Sequence, residues 1–178
     1  MHFSAPDALD RARRLKLMVF DVDGVMTDGR LWYAADGSEL KSFHAFDGHG
    51  MKMLADAGVR CAILSGRRSA AVSARARELG IELVRQGIAR KGEEFAVMLK
   101  SLGLEPAAAG YMGDELVDIP VLRRCGFGAA PREAPEPVRR CAHYVCSAPA
   151  GAGAVREVCE FVLQAQGSLE RVVREYFA

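Results

Sequence analysis

Three short apolar runs, each stopping at a polar cluster, constrain this chain more than any other feature. Leu17-Met18-Val19-Phe20 ends at Asp21, Arg60-Cys61-Ala62-Ile63-Leu64 ends at Ser65-Gly66-Arg67, and Ala109-Gly110-Tyr111-Met112 ends at Gly113-Asp114-Glu115. Runs of this length without polar alternation suit strands buried on both faces of a parallel sheet. Helical spacing of apolar residues follows, over Met51–Ala57, Ala70–Leu79, Glu93–Leu102 and Val117–Arg124. Strand and helix therefore alternate as βαβ units, which predicts an α/β fold with a doubly wound, Rossmann-like parallel sheet. In such sheets functional groups gather beyond the carboxyl ends of the strands, where all three polar clusters fall.

Two segments depart from this alternation. Residues 30–43 carry Ala34-Ala35-Asp36-Gly37-Ser38 between two short runs, a hairpin signal with Asp-Gly in the turn, and are expected to project as a flap. Residues 152–178 read as a helical tail, broken at Gly167 into a longer and a shorter helix. With 178 residues and 50 % hydrophobic composition, one compact domain spanning 1–178 is expected.

Lys plus Arg total 24 against 23 Asp plus Glu, a net charge of +1, so no global field draws the chain to nucleic acid or an anionic membrane. Anion binding must be local. No apolar run approaches the roughly 18 residues of a membrane span, and the first residues lack a secretion signal, so a cytoplasmic address is expected. Five cysteines in apolar contexts read as reduced, buried thiols. Cys141, His143 and Cys146 have the spacing of no common zinc site and lack a fourth ligand nearby.

Asp21-Val22-Asp23-Gly24 places two carboxylates two residues apart after a buried strand, with a glycine that permits a tight turn. A calcium loop is disfavoured, because Val25 takes the next ligand position and Trp32 stands where the twelfth-position glutamate belongs. An Asp-rich surface loop remains the bland alternative. Three further elements supply what phosphoryl transfer needs. Ser65 offers a hydroxyl at a strand end, Lys91 an ammonium at a helix start, and Asp114 an oxygen ligand for a hard cation, with Glu115 and Asp118 in reserve. Each has a structural reading of its own: a strand-to-helix turn, a solvated lysine, an acidic helix cap. Their order along the chain favours a common site.

DVDGVMTDG, ILSGR, Lys91 and GDELVDIP resemble the four ordered motifs of the haloacid dehalogenase superfamily of phosphatases. The hairpin insertion, FHAFDGHGMKML, AHYV and GAVREVCEFVLQAQG resemble more narrowly the 3-deoxy-D-manno-octulosonate 8-phosphate phosphatase family, over nearly all of the chain after its first fifteen or so residues. The resemblance implies a domain without a separate cap, a homotetramer, and a magnesium-dependent phosphatase of lipopolysaccharide biosynthesis. It implies Asp21 as nucleophile, Asp23 as general acid and base, and Ser65 and Lys91 as holders of the phosphoryl group. Magnesium would be held by Asp21, the Asp23 carbonyl and Asp114. His44, Asp47, Gly48, Lys52, Arg67 and Arg75 match, or stand close to, positions facing the sugar acid, and Trp32 with Tyr33 is expected against another subunit.

The chain departs from the family pattern at Phe46 and Lys52, where basic residues and arginine are usual, and at Ala150-Gly151-Ala152-Gly153, where an arginine is missing. Glu115 replaces an aspartate, and Ala89-Arg90 a polar pair. Fewer guanidinium forks are left to read a carboxylate. A phosphatase for a nonulosonate 9-phosphate and a catalytically inactive oligomeric binding module are the competing expectations.

Overall fold

The computed structural model describes residues 3–177; His2, expected to be structural or disordered, lies outside them. The strands, in chain order, are β1 (Phe3–Ser4), β2 (Leu17–Phe20), β3 (Trp32–Tyr33), β4 (Glu39–Leu40), β5 (Arg60–Leu64), β6 (Leu83–Arg85), β7 (Ala109–Met112), β8 (Phe127–Ala130) and β9 (Tyr144–Val145). The helices are α1 (Ala8–Arg13), α2 (Ala45–Asp56), α3 (Ala70–Glu78), α4 (Lys91–Leu102), α5 (Ile119–Leu122), α6 (Glu136–Arg139), α7 (Ala154–Ala165) and α8 (Leu169–Arg174). The three apolar runs are the strands β2, β5 and β7. Of these, β2 lies between the other two, and each pair is parallel.

The main sheet has the order β1-β9-β8-β7-β2-β5-β6, parallel except for the antiparallel edge pair β1 and β9. From β2 the chain first builds outward through β5 and β6, then returns to the other side of β2 with β7. The strand order thus reverses at β2, and a crevice opens beyond its carboxyl end.

Side chains on a strand point alternately to the two faces, and β2 shows the consequence. Met18 and Phe20 join a core with α1, α2, α3 and α7, while Leu17 and Val19 join one with α4, α5 and α6. Both faces are covered, so the sheet is doubly wound. The edge strand β6, three residues ending in Arg85, and the two-residue β9 carry too little apolar length to announce themselves in sequence, and β8 is as long as β2 but is Phe-Gly-Ala-Ala, without β-branched residues.

Two expectations need correction. The helix expected from Met51 begins at Ala45, one and a half turns earlier, because Asp47, Gly48 and Gly50 are buried against neighbouring elements despite their poor helix propensity. The segment Val117–Arg124 is split into a single 3-10 turn, Leu116–Asp118, and the short α5, with Pro120 at its second position.

The hairpin is a separate two-stranded ribbon, pairing Trp32 with Leu40 and Tyr33 with Glu39. Asp36 Oδ1 accepts from the Ser38 backbone N–H at 2.9 Å, and Gly37 takes φ +83°, so the Asp-Gly turn forms as its residues demand. No helix among the described residues is long and apolar enough to cross a membrane.

Gly126 marks where β8 is threaded under the turn before β7. Its N–H donates to Pro106 and Ala109, and a Cβ there would lie 2.4 Å from the Ala107 carbonyl oxygen. That neighbour is backbone and cannot rotate away. Gly126→Ala should therefore destabilise the fold by about 1–3 kcal/mol, as overpacking does. Urea unfolding would measure it, and a midpoint equal to that of the parent would contradict the threading.

Candidate active site

The reversal of strand order brings Asp21, after β2, next to Asp114, after β7. Lys91, the first residue of α4, enters beside Asp21 with its side chain buried. Its Nζ lies 2.8 Å from Asp21 Oδ2 and 2.6 Å from Asp118 Oδ1. Asp118 is fully buried and engaged on both oxygens: Tyr111 Oη and Lys91 donate to Oδ1, and the Asp114 and Glu115 N–H groups to Oδ2. It is a structural counter-charge that fixes Lys91, rather than a reserve ligand.

Burial raises the Asp21 carboxyl to about 6; Lys91 opposes the rise and Asp118 adds to it. Asp114 is pushed up to about 7, first by burial and then by the charges of Asp21 and Asp118. For Lys91, burial disfavours the ammonium, but Asp21 and Asp118 outweigh it and raise its affinity for the proton.

Asp21, Asp114 and Asp118 are the one group among the described residues whose oxygens could share a metal ion, lying within 4.8 Å of one another. The lone pairs of Asp118 are already taken. Asp114 Oδ1, by contrast, is buried without a hydrogen-bond partner. Gly24, at φ +81°, makes the space for this carboxylate, since a Cβ there would lie 2.0 Å from Asp114 Oδ2. Asp21 and Asp118 share one ammonium and a buried oxygen of Asp114 is left without a partner, an arrangement that suits a hard divalent cation. A cavity of about 390 Å³ opens here, lined by Gly24, Asp28, Arg30, Asp114, Glu133 and Ala150. A second, of about 330 Å³, lies between Met51, Cys61 and Leu83, away from the carboxylates.

Asp23 faces a different set of charges. Lys41 Nζ bonds to its Oδ1, and Arg67 Nε lies 3.8 Å from Oδ2. Glu39 closes the group, 2.8 Å from Lys41 and 2.7 Å from Arg67. These hydrogen bonds hold the Glu39 carboxyl at about 2 and raise the Arg67 guanidinium. Ser65, buried at the end of β5, is tied to the same group, its Oγ accepting from the Arg67 N–H at 3.3 Å.

Of the remaining residues expected at the sugar acid, His44, Asp47, Gly48 and Arg75 form a packed joint. Both oxygens of buried Asp47 are bonded to the start of α7, at Gly153 N (3.3 Å) and Arg156 N (2.8 Å). The carboxylate caps a helix whose first N–H groups need acceptors. Gly48 is small because the Arg75 guanidinium lies on it, 2.1 Å from where a Cβ would stand. Arg75 in turn binds the His44 carbonyl at 3.3 Å and Glu78 at 2.9 Å. Lys52 is exposed on α2. His49 sets its ring against Tyr176, 5.4 Å away. His143 Nδ1 accepts from the Gly128 N–H at 2.8 Å, while the buried Cys146 Sγ lies against the Ala154 carbonyl, so this pair builds structure.

Lys41, Glu39 and the role of Asp118 were not foreseen. Glu39, in β4, and Lys41, just past it, stand two apart in extended chain, and this spacing was the available signal. For Asp118 it was the four-residue offset from Asp114.

No protein-family model matches the chain. It is 39 % identical over 166 residues to 3-deoxy-D-manno-octulosonate 8-phosphate phosphatase of Yersinia pestis, covering 93 % of this chain and 89 % of the relative. The Haemophilus influenzae enzyme of the same name is 41 % identical over 157 residues, with 88 % and 87 % covered. Among solved structures, that of 3-deoxy-D-manno-octulosonate 8-phosphate phosphatase from Moraxella catarrhalis, in complex with magnesium, phosphate and KDO, superposes with a TM-score of 0.94. It is 37 % identical, and 96 % of this chain and 98 % of that one are covered. Sheet order, carboxylate placement and relatives agree, and the chain belongs to the 3-deoxy-D-manno-octulosonate 8-phosphate phosphatase family of the haloacid dehalogenase superfamily.

Proposed function

We propose that this protein hydrolyses 3-deoxy-D-manno-octulosonate 8-phosphate to the free sugar acid and phosphate, with magnesium, as a step of lipopolysaccharide biosynthesis in the cytoplasm. The observation that carries the reading is Lys91, buried between Asp21 and Asp118 beside the orphaned oxygen of Asp114. An inactive binding module would have no use for so much uncompensated charge at a crevice.

Asp21 attacks phosphorus, and the bond to the leaving sugar oxygen breaks as an aspartyl phosphate forms, replacing one hard displacement with two easier ones. Lys91, already paired with Asp21, favours its ionised form and then faces the phosphoryl oxygens; the Ser65 hydroxyl serves the same group. Asp23 hands a proton to the departing alkoxide and later takes one from the water that attacks the acyl phosphate. Asp21, Asp114 and the Asp23 carbonyl would hold magnesium, which neutralises phosphoryl charge when bound. Arg67, next to Asp23 and 43 % exposed, is the cation best placed to read the sugar carboxylate. Its partner Glu39 would have to yield.

The hairpin exposes 57 % of Trp32 and 59 % each of Tyr33 and Leu40. An apolar patch of this kind on a projecting ribbon supports assembly, and the homotetramer is the state proposed. Light scattering should give four times the chain mass, and Trp32→Glu should lower it. A monomer of full activity would remove this part of the reading.

Asp21→Asn should fold and release no phosphate, because an amide does not attack. Magnesium at a hundred times its Kd should stabilise the parent by about 2.7 kcal/mol, or roughly 5–10 °C in Tm, and Asp114→Asn should lose this shift. A retained shift would place the ion elsewhere. Arg67→Ala should lower kcat/KM for the sugar acid phosphate about ten- to a hundredfold, through loss of a charge-assisted bond worth about 1.5–3 kcal/mol, and far less for p-nitrophenyl phosphate. Equal losses would mean that Arg67 shapes the site without reading the acid, and faster turnover of a nine-carbon ester would change the substrate.

A further inference from the structure

Lys41 has no part in the reaction as written, yet it is the most enclosed cation outside the carboxylate cluster. Its side chain is 1 % exposed, although it stands at the foot of a solvent-exposed ribbon, just past β4. A lysine is buried to this degree only where its charge is matched. The matching groups are Asp23 Oδ1 and Glu39 Oε1.

The Asp23 carboxylate sits in a turn after β2, and Lys41 and Arg67 are the side chains that pair with it among the described residues. Arg67 is the looser of the two, being half in solvent, 3.8 Å away and drawn toward Glu39 and the Tyr33 hydroxyl. Lys41 alone holds one Asp23 oxygen directly. The carboxyl that must meet a leaving oxygen is therefore oriented from outside its own loop, by the hairpin.

We propose that Lys41 is a positioning residue: through its bond to Asp23 it holds that carboxylate where proton transfer to the leaving alcohol takes place. Glu39 is the counter-charge that keeps Lys41 folded inward, so the hairpin's second strand is part of the proton-transfer apparatus as well as a surface for assembly. The inference rests on the phosphatase reading above, in which Asp23 is the general acid.

Leaving-group dependence tests it. An alkyl phosphate such as the sugar acid ester needs a proton on its departing oxygen, whereas p-nitrophenolate leaves without one. Because the later hydrolysis also uses Asp23 and is common to both esters, the rate to follow is single-turnover release of the leaving group. Lys41→Met should slow release of the sugar acid about ten- to a hundredfold, the scale of a displaced catalytic group, with the half-saturating ester concentration changed by less than about threefold. Single-turnover release of p-nitrophenolate should slow by less than about threefold, and Lys41→Arg should recover most of the loss on the sugar ester. In an Asp23→Asn background, Lys41→Met should cost nothing further on release of the sugar acid.

Asp23→Asn, measured in parallel, separates two kinds of failure. If Asp23→Asn spares single-turnover release of p-nitrophenolate but Lys41→Met slows release equally from both esters, or only weakens ester binding, the inference is overturned and the reading of Asp23 stands. If Asp23→Asn itself shows no leaving-group selectivity in that first turnover, the reading falls and takes the inference with it. Should the methionine variant lose its parental Tm, Lys41→Gln, of similar length and polar, gives the same decision.

Discussion

The ion group around Lys91 is the constraint on which the rest of this structure depends. An ammonium withdrawn from water costs several kcal/mol unless paired, and a pair broken on one side leaves the other charge stranded. Asp118 meets the requirement only because Tyr111 and two backbone N–H groups complete its own shell. That arrangement needs β7 to deliver Tyr111 and the turn after it to deliver Asp118, while α4 must begin at Lys91. Sheet order, helix start and turn shape are thus tied to one buried charge. Asp114 is what the arrangement leaves unbalanced, and this imbalance gives the site its appetite for a cation.

Glycine does the complementary work. Gly24 admits Asp114, and Gly48 admits Arg75. At each place the backbone of one element approaches a charged side chain of another more closely than any Cβ allows, so the small residue records a neighbour rather than a flexible joint.

Much of this was legible in the sequence because the strongest signals are local. Leu17–Phe20, Arg60–Leu64 and Ala109–Met112 are bounded by polar residues and appear as strands with those same limits. Asp21, Lys91 and Asp114 stand at strand or helix ends, and their meeting follows from the doubly wound sheet. Less legible were groups whose role is set by partners far away in the chain. Asp47 looked available because nothing nearby revealed that α7, more than a hundred residues on, would claim both its oxygens. Lys41 carried no signal of its own, since its burial depends on Asp23, 18 residues earlier. The strands β6 and β9 are short, β8 is built of small residues after Phe127, and all three take their pairing from neighbours, a tertiary cause that propensity does not carry.

The core on one face of the sheet joins the beginning of the fold to a late element. α1 and α2 pack on α7, Arg13 and Gln166 bond across to carbonyls of α7 and α1, and Asp47 on α2 caps the start of α7. During synthesis the residues of α1 and α2 emerge well before their partner, and for that interval Met51, Leu54 and the Asp47 carboxylate have no α7 to meet. The face closes only when residue 165 has cleared the ribosome, so the apolar side of the N-terminal half stays uncovered until then, while the opposite face, completed by α4, α5 and α6, has its cover earlier.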